Sequence, residues 1–111
     1  NVLAVEYNLL LDIREKLIKE FNTFLKNNFL LLPTVTIYPP LLEDCKDELY
    51  YDAVNLISLR NTSLANYMNG CSISLPFSKD NNPIGIMLNG ITNNDDQLLN
   101  NSIKVEAVLS K

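Results

Sequence analysis

Two short apolar segments late in the chain, each bounded by turn residues, restrict the fold more than any other feature. Cys71 to Phe77 follows the turn signal Asn69-Gly70, alternates apolar and polar side chains, and ends at Pro76. Ile84 to Leu88 follows a polar, turn-like stretch over 78–83 and is closed by Asn89-Gly90. This length and pattern are typical of β-strands, because a helix needs a longer run with a 3.6-residue period. The chain is therefore expected to contain a sheet.

A third strand is predicted earlier in the chain. Phe29 to Leu32 is a continuous apolar run ended by Pro33, which favours a strand buried on both faces. Pro39 and Pro40 follow within ten residues, and proline cannot donate a backbone hydrogen bond. The stretch 34–43 is therefore predicted to be an irregular extended loop.

Three other segments have helical patterns. Residues 9–27 carry apolar side chains at spacings of three and four, which predicts an amphipathic helix; the stripe comprises Leu10, Ile13, Leu17, Phe21 and Phe24. Residues 47–69 show a partial helical period, with a break expected at Asn61-Thr62-Ser63, whose side chains compete for the backbone. Asp95 and Asp96 favour the start of a final helix that extends to about Leu109.

The resulting order is helix, strand, loop, helix, strand, strand, helix. It predicts an α/β fold in which a small mixed sheet of about three strands is flanked by helices. The length of 111 residues fits a single segment over 1–111 rather than two domains. A sheet this small has at least one open edge, and an open edge tends to associate unless something covers it. We therefore expect the segment to form part of something larger.

The charge pattern excludes several classes of partner. The net charge is −4 and the basic residues are scattered, so no surface for nucleic acid is expected. The strongest apolar run, Phe29 to Leu32, is far shorter than the roughly 20 residues of a membrane span. The first residues lack the basic start of a signal peptide. Two cysteines do not make a disulfide framework, so we expect reduced thiols and a cytoplasmic location.

Much common chemistry is also absent. The chain has no histidine, which removes Ser-His-Asp and Cys-His catalysis and the usual zinc sites. With three glycines and no phosphate-binding motif, no metal and no cofactor are expected. Cys71 has no histidine to activate it, and a small core cysteine is the favoured interpretation. Capping and solvation explain the paired carboxylates, which are Glu43-Asp44, Asp47-Glu48 and Asp95-Asp96.

A series of motifs from about residue 30 onward carries a resemblance. The series is Leu31-Leu32-Pro33-Thr34-Val35, Pro39-Pro40, Leu59-Arg60-Asn61-Thr62-Ser63-Leu64-Ala65-Asn66, Gly70-Cys71-Ser72-Ile73-Ser74-Leu75-Pro76, Pro83-Ile84-Gly85-Ile86-Met87-Leu88-Asn89-Gly90 and Asp95-Asp96-Gln97-Leu98-Leu99. In this order and spacing it resembles the C-terminal region of amidase-signature enzymes. Each motif is weak by itself, and the specificity lies in the ordered set.

The resemblance implies a partial amidase-signature fold and a parent enzyme that hydrolyses carboxylic amides. Such enzymes use a Ser-Ser-Lys triad carried by a Gly/Ser-rich segment upstream of this region. No Gly-Gly-Ser-Ser run occurs in this chain, so no catalytic residue is carried over. The expected role is to supply sheet strands and part of the substrate pocket. The expected partners are the remainder of the amidase chain, or a second copy, and in the parent enzyme a small amide.

Four polar residues match the family positions that could line the pocket: Thr34, Asn61, Thr62 and Asn66. Thr34 follows the predicted strand end at Pro33, where α/β sheets commonly place ligands. Each also has a structural interpretation. Thr34 can close a turn, Asn61 and Thr62 can satisfy a helix break, and Asn66 can cap a helix.

Two other functions stay open at this stage. The chain could be an interaction or self-associating module that uses an exposed sheet edge. It could also be an enzyme in its own right that uses Cys71 or the carboxylates, which the absence of an activating base makes the weakest of the three.

Overall fold

The computed structural model describes residues 2–79 and 82–110 and contains three α-helices and three β-strands. The elements in chain order are α1 (Ala4–Leu25), β1 (Leu30–Pro33), a 3-10 turn (Asp44–Lys46), α2 (Glu48–Tyr67), β2 (Cys71–Lys79), β3 (Asn82–Gly90) and α3 (Asp95–Leu109). The α/β class and every predicted element are confirmed. Two residues of the turn expected over 78–83, at positions 80 and 81, lie outside the described residues.

The helices begin where the sequence supplies acceptors for free backbone N–H groups. The carboxylate of Glu6 accepts a hydrogen bond of 2.9 Å from Leu3 N before α1. The Asp47 carboxylate accepts one of 2.8 Å from Tyr50 N and so caps α2. Asp95 and Asp96 lie in the first turn of α3, as predicted.

The break predicted at residues 61–63 of α2 is wrong. The helix is continuous from Glu48 to Tyr67 because each polar side chain finds an acceptor that leaves the helical ladder intact. The hydroxyls of Thr62 and Ser63 donate to the carbonyl of Leu59 within the same helix, at 3.2 and 2.7 Å. Asn61 bonds outside the helix, to β1.

The three strands form one sheet in the order β1-β3-β2. Both pairings are antiparallel, so the expectation of a mixed sheet is corrected in this respect. Leu31 of β1 lies opposite Leu88, and Ile73 of β2 lies opposite the same residue from the other side. Because β3 follows β2 so closely in sequence, the two pair along their full length, whereas a parallel arrangement would need a long crossover. Both β1 and β2 are edge strands.

The core lies between the sheet and α3. Leu75 of β2, Leu88 of β3 and Leu98 of α3 are buried together, with Val105 and Leu109 packed against them. We call this side of the sheet the α3 face. On the opposite face, Met87 and Asn89 are buried, as are Ala65 of α2 and Leu25 of α1.

Strand β1 is not buried on both faces, contrary to the prediction. Its residues alternate between half-buried and exposed, and Leu31 is 56% exposed. The side chain of Leu31 points to the α3 face, like that of Leu88 opposite it, but α3 lies over β2 and β3 and does not reach β1. The continuous apolar run therefore has one covered side and one uncovered side.

Helix α1 is attached by polar contacts more than by its apolar stripe. The Arg14 guanidinium donates to the carbonyls of Tyr67 (2.9 Å) and Asn66 (3.2 Å) at the C-terminal end of α2. Asn22 exchanges hydrogen bonds with Thr92 at 3.4 and 3.5 Å. Meanwhile Leu10, Ile13 and Phe24 of the stripe are exposed. None of the helices in the described part of the chain is both long and apolar enough to cross a bilayer.

The molecule is a thin slab. Its extents are 49 × 41 × 17 Å and its radius of gyration is 17.1 Å, against about 13 Å for a compact domain of this length. Its accessible surface is 8504 Å², against roughly 6,200 Å² for a folded monomer of this mass. The surplus includes large apolar side chains on both long helices, so the chain presents surfaces suited to being covered.

Candidate functional site

A small group of polar side chains gathers where β1 ends. Thr34 continues the pairing of β1 with β3, because its backbone N donates to the carbonyl of Gly85 at 2.8 Å. Its hydroxyl shares a hydrogen bond with the hydroxyl of Ser74 on β2, with the two oxygens 2.5 Å apart. Two strands that are not neighbours in the sheet are thus joined across β3 by their side chains.

Gly85 lies beneath this hydroxyl pair and makes it possible. A Cβ atom at Gly85 would lie 2.6 Å from both the Thr34 and the Ser74 hydroxyl oxygens. Any larger residue would therefore separate the hydroxyls or displace a strand. The lack of a side chain here leaves a notch on the opposite face of the sheet, with hydroxyls on both sides.

Asn61 brings α2 to the same strand end. Its side-chain Nδ2 donates to the carbonyl of Pro33 at 2.7 Å, next to Thr34 in the chain. Asn61 and Thr34 are both half-buried, so their polar groups remain partly accessible. The structure therefore brings together two of the four residues that the sequence singled out.

The other two predicted residues lie apart from this group. The Thr62 hydroxyl is bonded to its own helix. Asn66 is exposed near the end of α2, where its carbonyl accepts a hydrogen bond from Arg14. Neither residue makes a recorded side-chain contact to Thr34 or Asn61 within the described ranges.

Two open grooves border the same end of the sheet. An apolar groove of about 330 Å³ is lined by Leu31, Leu32, Pro33, Phe77, Ile84, Gly85 and Ile86. A second groove, of about 250 Å³, is lined by Pro33, Val35, Thr36, Ile37, Tyr38 and Ile84. Phe77, Ile84 and Ile86 belong to the α3 face, whereas the hydroxyl pair lies on the opposite face. The apolar groove and the polar group therefore do not form one pocket in this chain.

Asn89 is the most enclosed polar residue in the described part of the chain. Its side chain is fully buried, and its Nδ2 donates to the carbonyl of Leu30 at 3.3 Å. Its Oδ1 has no hydrogen-bond donor among the described residues. This amide stabilises the pairing of β1 with β3 and lies too deep to contact a substrate.

Cys71 has the environment of a structural thiol. It is half-buried against the core, and its Sγ donates to the carbonyl of Ile91 at 3.4 Å. Burial raises the pKa of this thiol above its usual value, and the negative charge of Asp95 raises the pKa further. A nucleophilic cysteine needs the reverse, a lowered pKa from a nearby cation or base. The core interpretation of Cys71 is therefore supported by its surroundings.

No group of acidic or cysteine side chains in residues 2–79 and 82–110 is arranged to hold a metal ion. The paired carboxylates lie mainly at helix starts, where Asp47 and Asp95 have the structural roles described above. What the site offers is therefore hydrogen bonding, from one half-buried hydroxyl and one amide at a strand end.

Comparison with known proteins decides the family to which this arrangement belongs. A profile of the Amidase family matches residues 3–99.

The chain belongs to the Amidase family.

Two relatives illustrate the similarity of this amidase-family chain. It is 31% identical over 84 residues to 2-amino-5-chloromuconic acid deaminase from Comamonas testosteroni, covering 74% of this chain and 18% of that protein. Its fold matches the A-type subunit of glutamyl-tRNA(Gln) amidotransferase from Thermotoga maritima, with a TM-score of 0.62 and 25% identity, over 85% of this chain and 20% of that one. The amidase-family chain thus spans about a fifth of the length of each relative.

The family assignment confirms the resemblance that the motifs carried. The sequence singled out Thr34 and Asn61 of this amidase-family chain, but it missed Ser74 and Gly85. The alternation in β2 places Ser74 on a polar face, which predicts solvent exposure and gives no sign of a contact with Thr34. Only the register of β1 against β3 and β2 shows that Gly85 lies below both hydroxyls.

Proposed function

We propose that this chain is a portion of an amidase-type hydrolase of carboxylic amide bonds. In this proposal it supplies the strands β1, β2 and β3 and one polar wall of the pocket that holds a small amide. The wall consists of Thr34 and Asn61, with Ser74 as the residue that orients the Thr34 hydroxyl. Thr62 and Asn66 lie outside the wall and serve α2. The triad that cleaves the amide is not contributed by this chain.

The observation that carries the proposal is the pairing of a hydroxyl with an amide at the end of β1. A carboxylic amide presents a carbonyl acceptor and N–H donors, and its recognition needs at least one group of each kind. A threonine hydroxyl can donate and accept, and an asparagine side chain carries both a donor and an acceptor. A few polar groups of this sort within a mostly apolar surface are typical of small-molecule pockets.

The names of the two relatives are consistent with this class of chemistry. One is called a deaminase and the other belongs to an amidotransferase, and both names refer to the making or breaking of bonds to nitrogen. The proposal for this chain takes only the common element, which is an amide or amine-bearing small molecule.

The proposed partner is the remainder of an amidase domain. The exposed stripe of α1 and the apolar groove beside Leu31 and Phe77 offer it uncovered apolar surface. No nucleic acid and no membrane enter the proposal, and no cofactor is required for it. The two cysteines are unpaired, which supports the cytoplasmic setting that the proposal includes.

Titration of the isotope-labelled chain with propionamide tests the wall. We expect chemical-shift changes at Thr34, Gly85 and the Asn61 side chain, saturating at millimolar amide. Thr34→Val keeps the shape and removes the hydroxyl, and it should weaken binding about tenfold. Thr62→Val is the matched control and should leave binding unchanged. Shift changes confined to other parts of the chain would refute the wall.

A separate assay tests whether the chain is catalytic. The isolated chain should not hydrolyse propionamide or butyramide above the rate of buffer. Turnover that an active-site serine reagent abolishes would contradict the statement that the triad lies elsewhere.

A further inference from the structure

The two edges of the sheet differ in how open they are. On the outer edge of β1, the carbonyl of Pro33 is already bonded by Asn61, and proline has no N–H to offer. Leu31 alone retains an outward N–H and carbonyl in this four-residue strand. An added strand would find little to pair with, so the edge of β1 is closed in the manner that natural sheets use to prevent edge pairing.

The outer edge of β2 is open, and the hydrogen-bond pattern shows which groups it presents. The bond from Thr34 N to Gly85 O means that Gly85, Met87 and Asn89 bond to β1. The residues between them must then bond to β2, where they pair with Ile73, Leu75 and Phe77. The backbone groups of Ser72 and Ser74 therefore point away from the sheet.

Nothing in residues 71–77 protects this edge. The segment contains no charged side chain, and Ser72, Ser74 and Pro76 are exposed. Pro76 belongs to the outward-facing set, so its missing N–H costs no bond within the sheet. Within the described ranges, no hydrogen bond to the outward N–H and carbonyl groups of Ser72 and Ser74 is recorded.

We propose that β2 pairs antiparallel with β2 of a second copy of this chain, with Ser72 opposite Ser74 of the second copy. In this register each Ser72–Ser74 pair exchanges two hydrogen bonds, so the two-fold arrangement forms four and leaves no outward group of these serines unpaired. Shifting the register so that Ser74 faces itself would place Ser72 opposite Pro76, where one bond is lost. The chosen register makes a continuous sheet of six strands.

The flank of α3 beside this edge is also self-complementary. Leu98, Ser102, Val105 and Leu109 face the sheet, and α3 begins beside Cys71 and lies mainly over β2. A right-handed helix that follows β2 in the same direction turns Leu99 and Ile103 toward the outer side of that strand. Both side chains are exposed, by 53% and 66%. Across the two-fold axis they would pack against the same pair of the second copy.

Dimer formation at this edge does not depend on the proposed amide-binding wall. The wall uses side chains at the end of β1, whereas the dimer uses the backbone of β2 and one flank of α3. A failure of either proposal therefore leaves the other standing, and separate measurements decide them.

The test is sedimentation equilibrium of the 111-residue chain over a range of concentrations. We expect a reversible monomer–dimer equilibrium. Ser72→Pro removes one outward N–H from each copy and should raise the dissociation constant about tenfold or more. Ser72→Ala keeps the N–H and should leave the constant within about twofold of the unaltered chain, a shift far smaller than one lost hydrogen bond produces.

A second pair of variants guards against misfolding caused by proline. Ile103→Lys places like charges at the proposed axis and should abolish the dimer. Val108→Lys is the matched control, since Val108 is equally exposed, at 67%, on the other flank of α3. It should leave the dimer unchanged, and circular dichroism should show native helix in both. A chain that stays monomeric at every concentration, or equal effects of the two lysines, would overturn the proposal.

Discussion

At the scale of single residues, Gly85 controls the contact between Thr34 and Ser74. We expect Gly85→Ala to lower the free energy of unfolding by about 1–3 kcal/mol, because the new Cβ overlaps both hydroxyl oxygens in a packed sheet. Urea denaturation followed by circular dichroism measures the change.

The double variant Thr34→Ala with Gly85→Ala is the control for this overlap. Removing the Thr34 hydroxyl makes room for the methyl group, so the two substitutions should cost less together than the sum of their separate costs. Strict additivity would show that Gly85 is needed for some reason other than the hydroxyl pair.

The thiol of Cys71 gives a second prediction at this scale. Because burial and the charge of Asp95 both raise its pKa, little thiolate forms at neutral pH and alkylation by iodoacetamide should be slow. Asp95→Asn removes the smaller of the two causes, lowers the pKa and should speed alkylation by less than about tenfold.

Mass spectrometry of peptide fragments follows Cys71 separately from Cys45, which serves as the internal control. An Asp95→Asn variant in which Cys71 reacts more slowly would show that the carboxylate has the opposite influence on the thiol.

At the scale of elements, the contact between α2 and β1 depends on one side-chain hydrogen bond. Asn61→Ala removes the donor to the Pro33 carbonyl, and we expect it to cost about 1 kcal/mol of unfolding free energy. Thr62→Ala is the matched control one residue along, because its hydroxyl bonds only within α2. It should be neutral or slightly stabilising, since alanine is the better helix former.

Thermal unfolding of the two variants, compared with the unaltered chain, measures this difference. If Thr62→Ala were the more damaging substitution, α2 would depend on its own polar side chains and not on its contact with β1.

The elements themselves could largely be predicted from the sequence, and their extent could not. Helical and alternating periods identified the helices and strands, because both depend on local spacing. The continuity of α2 through Asn61-Thr62-Ser63 could not be predicted, since it depends on acceptors at Leu59 and at Pro33, the second being distant in sequence. The mixed sheet was expected from the element order, whereas strand direction is set by tertiary pairing.

The candidate site shows the same division. Thr34 and Asn61 were identifiable because they lie within motifs with a fixed order along the chain. Ser74 and Gly85 were not, because their contact with Thr34 exists only once three strands are in register.

At the scale of the whole molecule, the slab shape predicts shallow denaturant unfolding. The slope of unfolding free energy against urea scales with the surface that unfolding exposes. This chain leaves about 2,300 Å² more surface exposed when folded than a compact monomer of its mass does, going by the usual area scaling. Its slope should therefore be lower than that of compact domains of the same length.

Urea titration at a concentration where the chain is monomeric provides the measurement. A slope equal to that of a compact domain of this length would mean that, in solution, the long helices fold back and cover the apolar side chains.

The same uncovered leucines and tyrosines of α1 and α2 have a consequence inside a cell. Chaperones and proteases act on proteins that expose apolar surface, so copies without a partner would be removed and assembled copies would persist. The amount of this chain would then follow the amount of its partner, even if far more were synthesised. Its helices would act as a stoichiometry gauge, with half-life as the readout.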